Sequence, residues 1–149
     1  MLAYFSTFSI NYNKVGVLML KLTKKVEYAL ISLVHISGQE DGVNSSAKKI
    51  AEKYFIPREI LAKILQQLAS LKMIKSIKGP KGGYQLSCDI NSINIFEFIE
   101  MLEGPVGLVD CMISHSCNQL EYCTIKGPLM KINSKIIKTL KNITLDQLR

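Results

Sequence analysis

Three glycines and a proline fall within five residues, Gly79-Pro80-Lys81-Gly82-Gly83. No helix runs through such a stretch, so it is a turn. Ile74 and Ile77 precede it in a short extended piece, and Tyr84 and Leu86 alternate after it. The segment therefore reads as a β-hairpin with an extended tip, and Lys78 and Lys81 make that tip basic.

Everything around the hairpin carries helical spacing. Thr23 can cap a first helix, in which Val26, Ala29, Leu30, Leu33 and Val34 line one face. Glu27, Ile31 and His35 lie on a different face, and Gly38 and Asp41-Gly42 end the helix. Ser45 or Ser46 can cap a second helix that turns Ile50, Ala51 and Tyr54 inward. Phe55-Ile56 make a tight turn, and Pro57 suits the first turn of a third helix whose apolar set is Ile60, Leu61, Ile64, Leu65, Leu68 and Leu71. After the hairpin, a fourth helix follows Asn94, with Ile95, Phe98, Ile99 and Leu102 inward and Gly104 as its stop. Residues 105–127 read as a loop. Pro128 opens a last helix with Ile132, Ile136 and Leu140 at i, i+4, i+8. That stripe suits a dimer seam, and ordinary core packing explains its period equally well. Residues 1–18 show no clear period and read as an extension or a start assigned too early; sharp patterning begins at Met19.

The expected fold is mainly α with a small β-hairpin wing: a winged helix-turn-helix followed by a long C-terminal helix. A helix fits the major groove, and the N-terminal residues of the third helix would meet base edges. Arg58, Glu59, Ala62 and Lys63 lie on its polar side near that end. Lys48, Lys49 and Lys53 on the second helix can reach phosphates. Lys78, Gly79 and Lys81 lie in the wing, where glycine lets the backbone approach a sugar closely. The chain carries a formal charge of +7, and residues 23–87 hold eleven Lys or Arg against five Asp or Glu. The excess therefore sits in the expected DNA-binding half. A charge run alone would suit a solvated surface; combined with this order of elements it points to DNA.

Cysteines 111, 117 and 123 form a second motif, Cys111-x5-Cys117-x5-Cys123. Steps of six do not stack on one helical face, but a loop can fold three thiolates toward one point. Zinc sites usually show shorter knuckles and four ligands, whereas a non-cysteine residue can complete an iron–sulfur site. Three unrelated thiols are the plain alternative. Cys88 reads as structural. His35 and His115 are the only histidines, and no catalytic triad, phosphate loop or paired-carboxylate motif is present, so no enzyme activity is expected. A signal peptide and a membrane-length apolar run are both missing from the pattern, which makes the expected location cytoplasmic, with no membrane partner.

Taken together, KLTKKVEYAL, IAEKYFIP, KGPKGGYQL, the three-cysteine loop and NITLDQL resemble the bacterial Rrf-two family of winged-helix regulators, of the IscR and NsrR type, from about Met19 to Leu148. The resemblance implies a homodimer joined by the C-terminal helix at Ile132, Ile136 and Leu140. It also implies binding to double-stranded promoter DNA, and a [2Fe–2S] or [4Fe–4S] cluster on Cys111, Cys117 and Cys123 that senses cluster status, nitric oxide or redox state. IscR-like members place a histidine ligand three residues after the third cysteine; Lys126 stands there in this chain. NsrR-like members take the fourth ligand from an acidic residue of the partner's first helix, a position that Glu27 matches. The expected divisions are 1–18 extension, 19–104 winged helix-turn-helix, 105–127 cluster loop, and 128–149 dimerisation helix and tail. The expected function is a transcriptional repressor. The alternatives are a cluster-free thiol-sensing regulator of the same family and a zinc-stabilised protein-binding adaptor.

Overall fold

Thr23 Oγ1 accepts from the backbone N–H of Val26 at 3.2 Å and so starts helix α1 (Lys24–Ser37) in the computed structural model, which describes residues 21–40, 42–113 and 117–149. The extension expected over residues 1–18 lies outside the described residues, as does His115. Helix α1 buries Val26, Ala29, Ser32, Leu33 and Ile36, while Leu30 and Val34 stay half-buried at its margin. Ser32 is tolerated in this face because its hydroxyl donates to Tyr28 O at 2.7 Å.

Helix α2 (Ala47–Tyr54) is capped by Ser46, whose Oγ accepts from Lys49 N. Ser45 is instead buried and exchanges two backbone hydrogen bonds with Tyr84, at 3.1 and 2.9 Å. The turn Phe55-Ile56-Pro57 leads into helix α3 (Arg58–Ser70), with Pro57 at the N-cap, one place earlier than expected. Helix α3 buries Leu61, Ile64, Leu65 and Leu68. Ile60 does not join them: it is 46% exposed, because at 100° per residue it falls on the edge of the arc those four define. Leu71 lies past the helix end and is half-buried. Truncating one of the fully buried leucines to alanine should cost about 2–5 kcal/mol.

Strands β1 (Ile74–Ile77) and β2 (Gly83–Leu86) pair antiparallel, with Ile74 opposite Leu86 and Ile77 opposite Gly83. Helix α4 (Ile95–Glu103) is capped by Asn94 and stopped by Gly104, and it adds Phe96 to the expected buried set of Ile95, Phe98, Ile99 and Leu102. The architecture is therefore the mainly α winged helix-turn-helix that the pattern led us to expect. Helix α1 packs on α3 and α4, and β2 packs on α1.

The segment after Gly104 contains a short helix, α5 (Asp110–Ile113), which the spacing did not suggest. Helix α6 (Lys126–Lys141) opens two residues before Pro128, which is tolerated inside the first turn because its missing N–H would have no helical acceptor there. None of the residues of α6 is buried. Beyond it, Leu145 returns to the core at 1% exposure, and Leu145 N donates to Ile93 O at 2.9 Å while Ile95 N donates to Ile143 O at 2.9 Å. This tail, the 3-10 turn Leu145–Leu148, fixes the far end of α6 beside the start of α4.

Candidate nucleic-acid interface

Four residues in the N-terminal half of α3, Arg58, Glu59, Ala62 and Lys63, are all exposed, because the buried arc of the helix occupies its other side. Arg58 is not free, however. Its Nη2 donates to Glu52 Oε1 at 2.8 Å, an exposed ion pair that links α2 to α3. Glu52 was not singled out in the sequence; the available signal was an acid among the lysines of α2. Lys48, Lys49 and Lys53 are exposed on α2, and the Lys53 ammonium lies 5.2 Å from the centre of the Tyr54 ring.

The wing is fastened to the start of α2. A Cβ on Gly83 would lie 2.7 Å from Ser45 O, so only glycine permits the pairing of Tyr84 with Ser45. Asn44 Nδ2 adds a hydrogen bond to Lys81 O at 2.7 Å. At the tip, Gly79 holds φ +115 and has open space where a Cβ would stand. Its backbone can therefore approach a ligand at a conformation other residues rarely adopt. Lys78 and Lys81 flank it, both exposed. The fold thus ties together two basic features, the α2–α3 surface and the hairpin tip.

Cys111, Cys117 and Cys123 are free thiols and half-buried. Cys111 lies in α5, and the other two lie in the irregular segment before α6. Among the described residues, no three His, Cys, Asp or Glu side chains converge closely enough to hold a metal. Glu27 lies on α1, half-buried and paired with Lys24, whose ammonium is held above its ordinary pKa by that hydrogen bond and then by the carboxylate's charge. Lys126 is exposed at the start of α6. Cys88 packs against the core; burial pushes its thiol pKa up, and the neighbouring Asp89 adds to the shift.

The Ile132, Ile136, Leu140 stripe divides along α6. Leu140 packs against the core of its own chain, and Ile136 and Leu140 line a cleft of about 330 Å³ with Val26, Phe96 and Ile99. Ile132 is exposed, as is Met130 beside it.

A helix-turn-helix with an exposed basic reading end, followed by an anchored basic wing, defines a winged-helix DNA-binding regulator of transcription. The chain belongs to the Rrf-two (Rrf2) family, described as iron-dependent transcriptional regulators, whose model matches residues 22–149. Among solved structures it is similar to CymR, the global cysteine regulator of B. subtilis, at 24% identity and TM-score 0.69, covering 87% of this chain and 95% of that one. The oxidized form of Staphylococcus aureus CymR matches at 25% identity and TM-score 0.65, over 87% and 95%. T. potens IscR matches at 23% identity and TM-score 0.68, over 87% and 85%. No helix among the described residues is long and apolar enough to cross a membrane.

Proposed function

We propose that this regulator is a homodimeric, cytoplasmic repressor of promoter DNA that senses an iron–sulfur cluster, [2Fe–2S] or [4Fe–4S], on Cys111, Cys117 and Cys123. The observation that carries this reading is the place of the three thiols. They are free and half-buried in the segment joining the winged-helix core to α6, a helix that buries none of its residues. Three thiolates suit iron–sulfur ligation and leave one position for another residue, which we assign to Glu27 of the partner subunit. When bound, such a cluster supplies a group sensitive to oxidants and nitric oxide. The chain's own part is to couple that segment to DNA: α6 packs on α4, α4 packs on α1, and α1 packs on the recognition helix α3. Ile132 forms the exposed part of the dimer seam, continued by the half-buried Ile136, while Leu140 anchors the helix to its own core. Lys48, Arg58, Glu59, Lys63, Lys78, Gly79 and Lys81 face the duplex.

The test is anaerobic purification, an absorption spectrum, counts of iron, sulfide and zinc, and footprinting with and without the metal. Iron and sulfide in the protein, and a two-fold protected site with half-sites about 34–36 Å apart, are expected. Loss of protection after the cluster is removed completes the reading. A monomer on a single short site would overturn the dimer.

A second reading, a cluster-free thiol sensor, draws on two observations. The described residues bring no metal-ligand group together, and the chain is similar to the oxidized form of S. aureus CymR. A metal-free protein whose DNA affinity responds to a thiol oxidant would select it.

A further inference from the structure

Phe55 is the most exposed large apolar side chain among the described residues, at 92%. It also holds a left-handed backbone, φ 54 and ψ 37. The backbone conformation has a local cause: it closes α2, with the Phe55 N–H donating to Ala51 O, and lets Ile56 turn into the core at 3% exposure. The phenyl ring has no such cause. Glycine or asparagine takes this conformation with less strain and without placing an aromatic in water. An outlier in both backbone and exposure, unrepaid by any packing, points to function.

The surroundings say what kind of partner the ring meets. It stands two residues after Lys53 and three before Arg58, at the entry to the reading end of α3. Lys48 and Lys49 on α2 and Lys63 on α3 are also exposed, on the two helices that this turn joins. That charge complements a polyanion, and the major groove offers one apolar group per A·T pair, the thymine 5-methyl, which phenylalanine can contact.

We propose that Phe55 is a specificity-determining residue that covers a thymine methyl group in the major groove beside the N-terminus of α3. This rests on the DNA-binding reading above and assigns it a base preference. An apolar contact releases no counterions, so it adds affinity without steepening the salt dependence.

The experiment selects duplexes from a random-sequence pool with the full-length parent, Phe55→Asn, Phe55→Gly and Phe55→Leu. Affinities are then measured on the parent-selected duplex with each thymine in turn replaced by deoxyuridine. At one thymine, loss of the methyl should weaken the parent and Phe55→Leu by about fourfold, one methyl group's worth of burial, and leave Phe55→Asn and Phe55→Gly unchanged. Those two should bind the all-thymine duplex correspondingly more weakly, with the parent's salt slope and a thermal midpoint no lower than the parent's. Equal affinity and equal thymine dependence in all four proteins would overturn the proposal while leaving DNA binding intact. A uniform loss on unrelated duplexes would also overturn it, placing the ring on the sugar–phosphate backbone. A parent that enriches no duplex would bring down the DNA-binding reading and this proposal with it.

Discussion

His35 Nδ1 lies 3.1 Å from Tyr54 Oη, and the two rings meet edge to face with centroids 5.5 Å apart. This contact joins α1 to the last residue of α2, directly before the turn into α3. Burial, and then the charges of Lys53 and Lys49, hold the His35 pKa below its ordinary value of 6.5.

The sign of the pH dependence follows. The unfolded chain binds the His35 proton more readily than the folded one, so folding stability rises with pH through the window. The contribution is complete above about pH 6.5 and is lost as pH falls toward the folded pKa. Denaturant titrations at pH 8 and pH 5.5 should show the parent weakening at the lower pH, and His35→Gln should weaken less. An equal loss in both proteins would assign the acid sensitivity to other groups.

The Arg58–Glu52 pair holds on a carboxylate the guanidinium that we propose faces DNA. Both partners are exposed, so the pair itself is weak. Removing the acid frees Arg58 and deletes a negative charge that a phosphate would meet. Glu52→Gln should therefore tighten binding to any duplex by about two- to fivefold at low salt, with the gain shrinking as salt is raised. Fluorescence anisotropy across a salt series checks this, and unchanged or weaker binding would show that Glu52 orients Arg58 productively.

The wing makes a different demand. If Lys78 meets a phosphate, Lys78→Ala should weaken binding across all sequences and lower the log–log salt slope by about one unit. A change in sequence preference at constant slope would mean that Lys78 reads a base or the shape of the groove.

The hairpin, the turn between α2 and α3, the cap residue Thr23 and the start of α4 after Asn94 were legible in the sequence because their signals are local: glycine, proline and capping side chains act on their immediate neighbours. Three features were not. Ile60 groups with the α3 core set by spacing but lies just beyond the edge of its arc, and the spacing alone does not say how wide an arc the neighbouring helices cover. Ser45 and Ser46 are equivalent as caps until the pairing of Ser45 with Tyr84 takes one of them. The strain at Phe55 is invisible without φ, because the turn sets it and phenylalanine carries no turn signal. The cysteine segment shows the same limit: its spacing singles out three thiols, but whether they meet is set by chain packing that the spacing does not encode.

The assignment of Glu27 as the fourth cluster ligand makes the sharpest demand on that loop. Three thiolates leave one iron position open, and where IscR-like members carry a histidine this chain has Lys126, exposed at the start of α6. Glu27 is half-buried on α1, the helix that packs on α3, so a ligand there would tie one subunit's loop to α3 of its partner. Its carboxylate is shared with Lys24, and binding iron would mean leaving that exposed partner, a small loss. Oxygen ligation is weaker than thiolate ligation, so the cluster should be labile. Glu27→Ala, reconstituted anaerobically beside His115→Ala, should change the spectrum, shorten cluster lifetime in air and blunt the effect of the cluster on DNA affinity. Lys24→Met, which frees the carboxylate, should leave the spectrum intact. If Glu27→Ala matches the parent in all three measurements and His115→Ala does not, the fourth ligand lies within the cysteine loop.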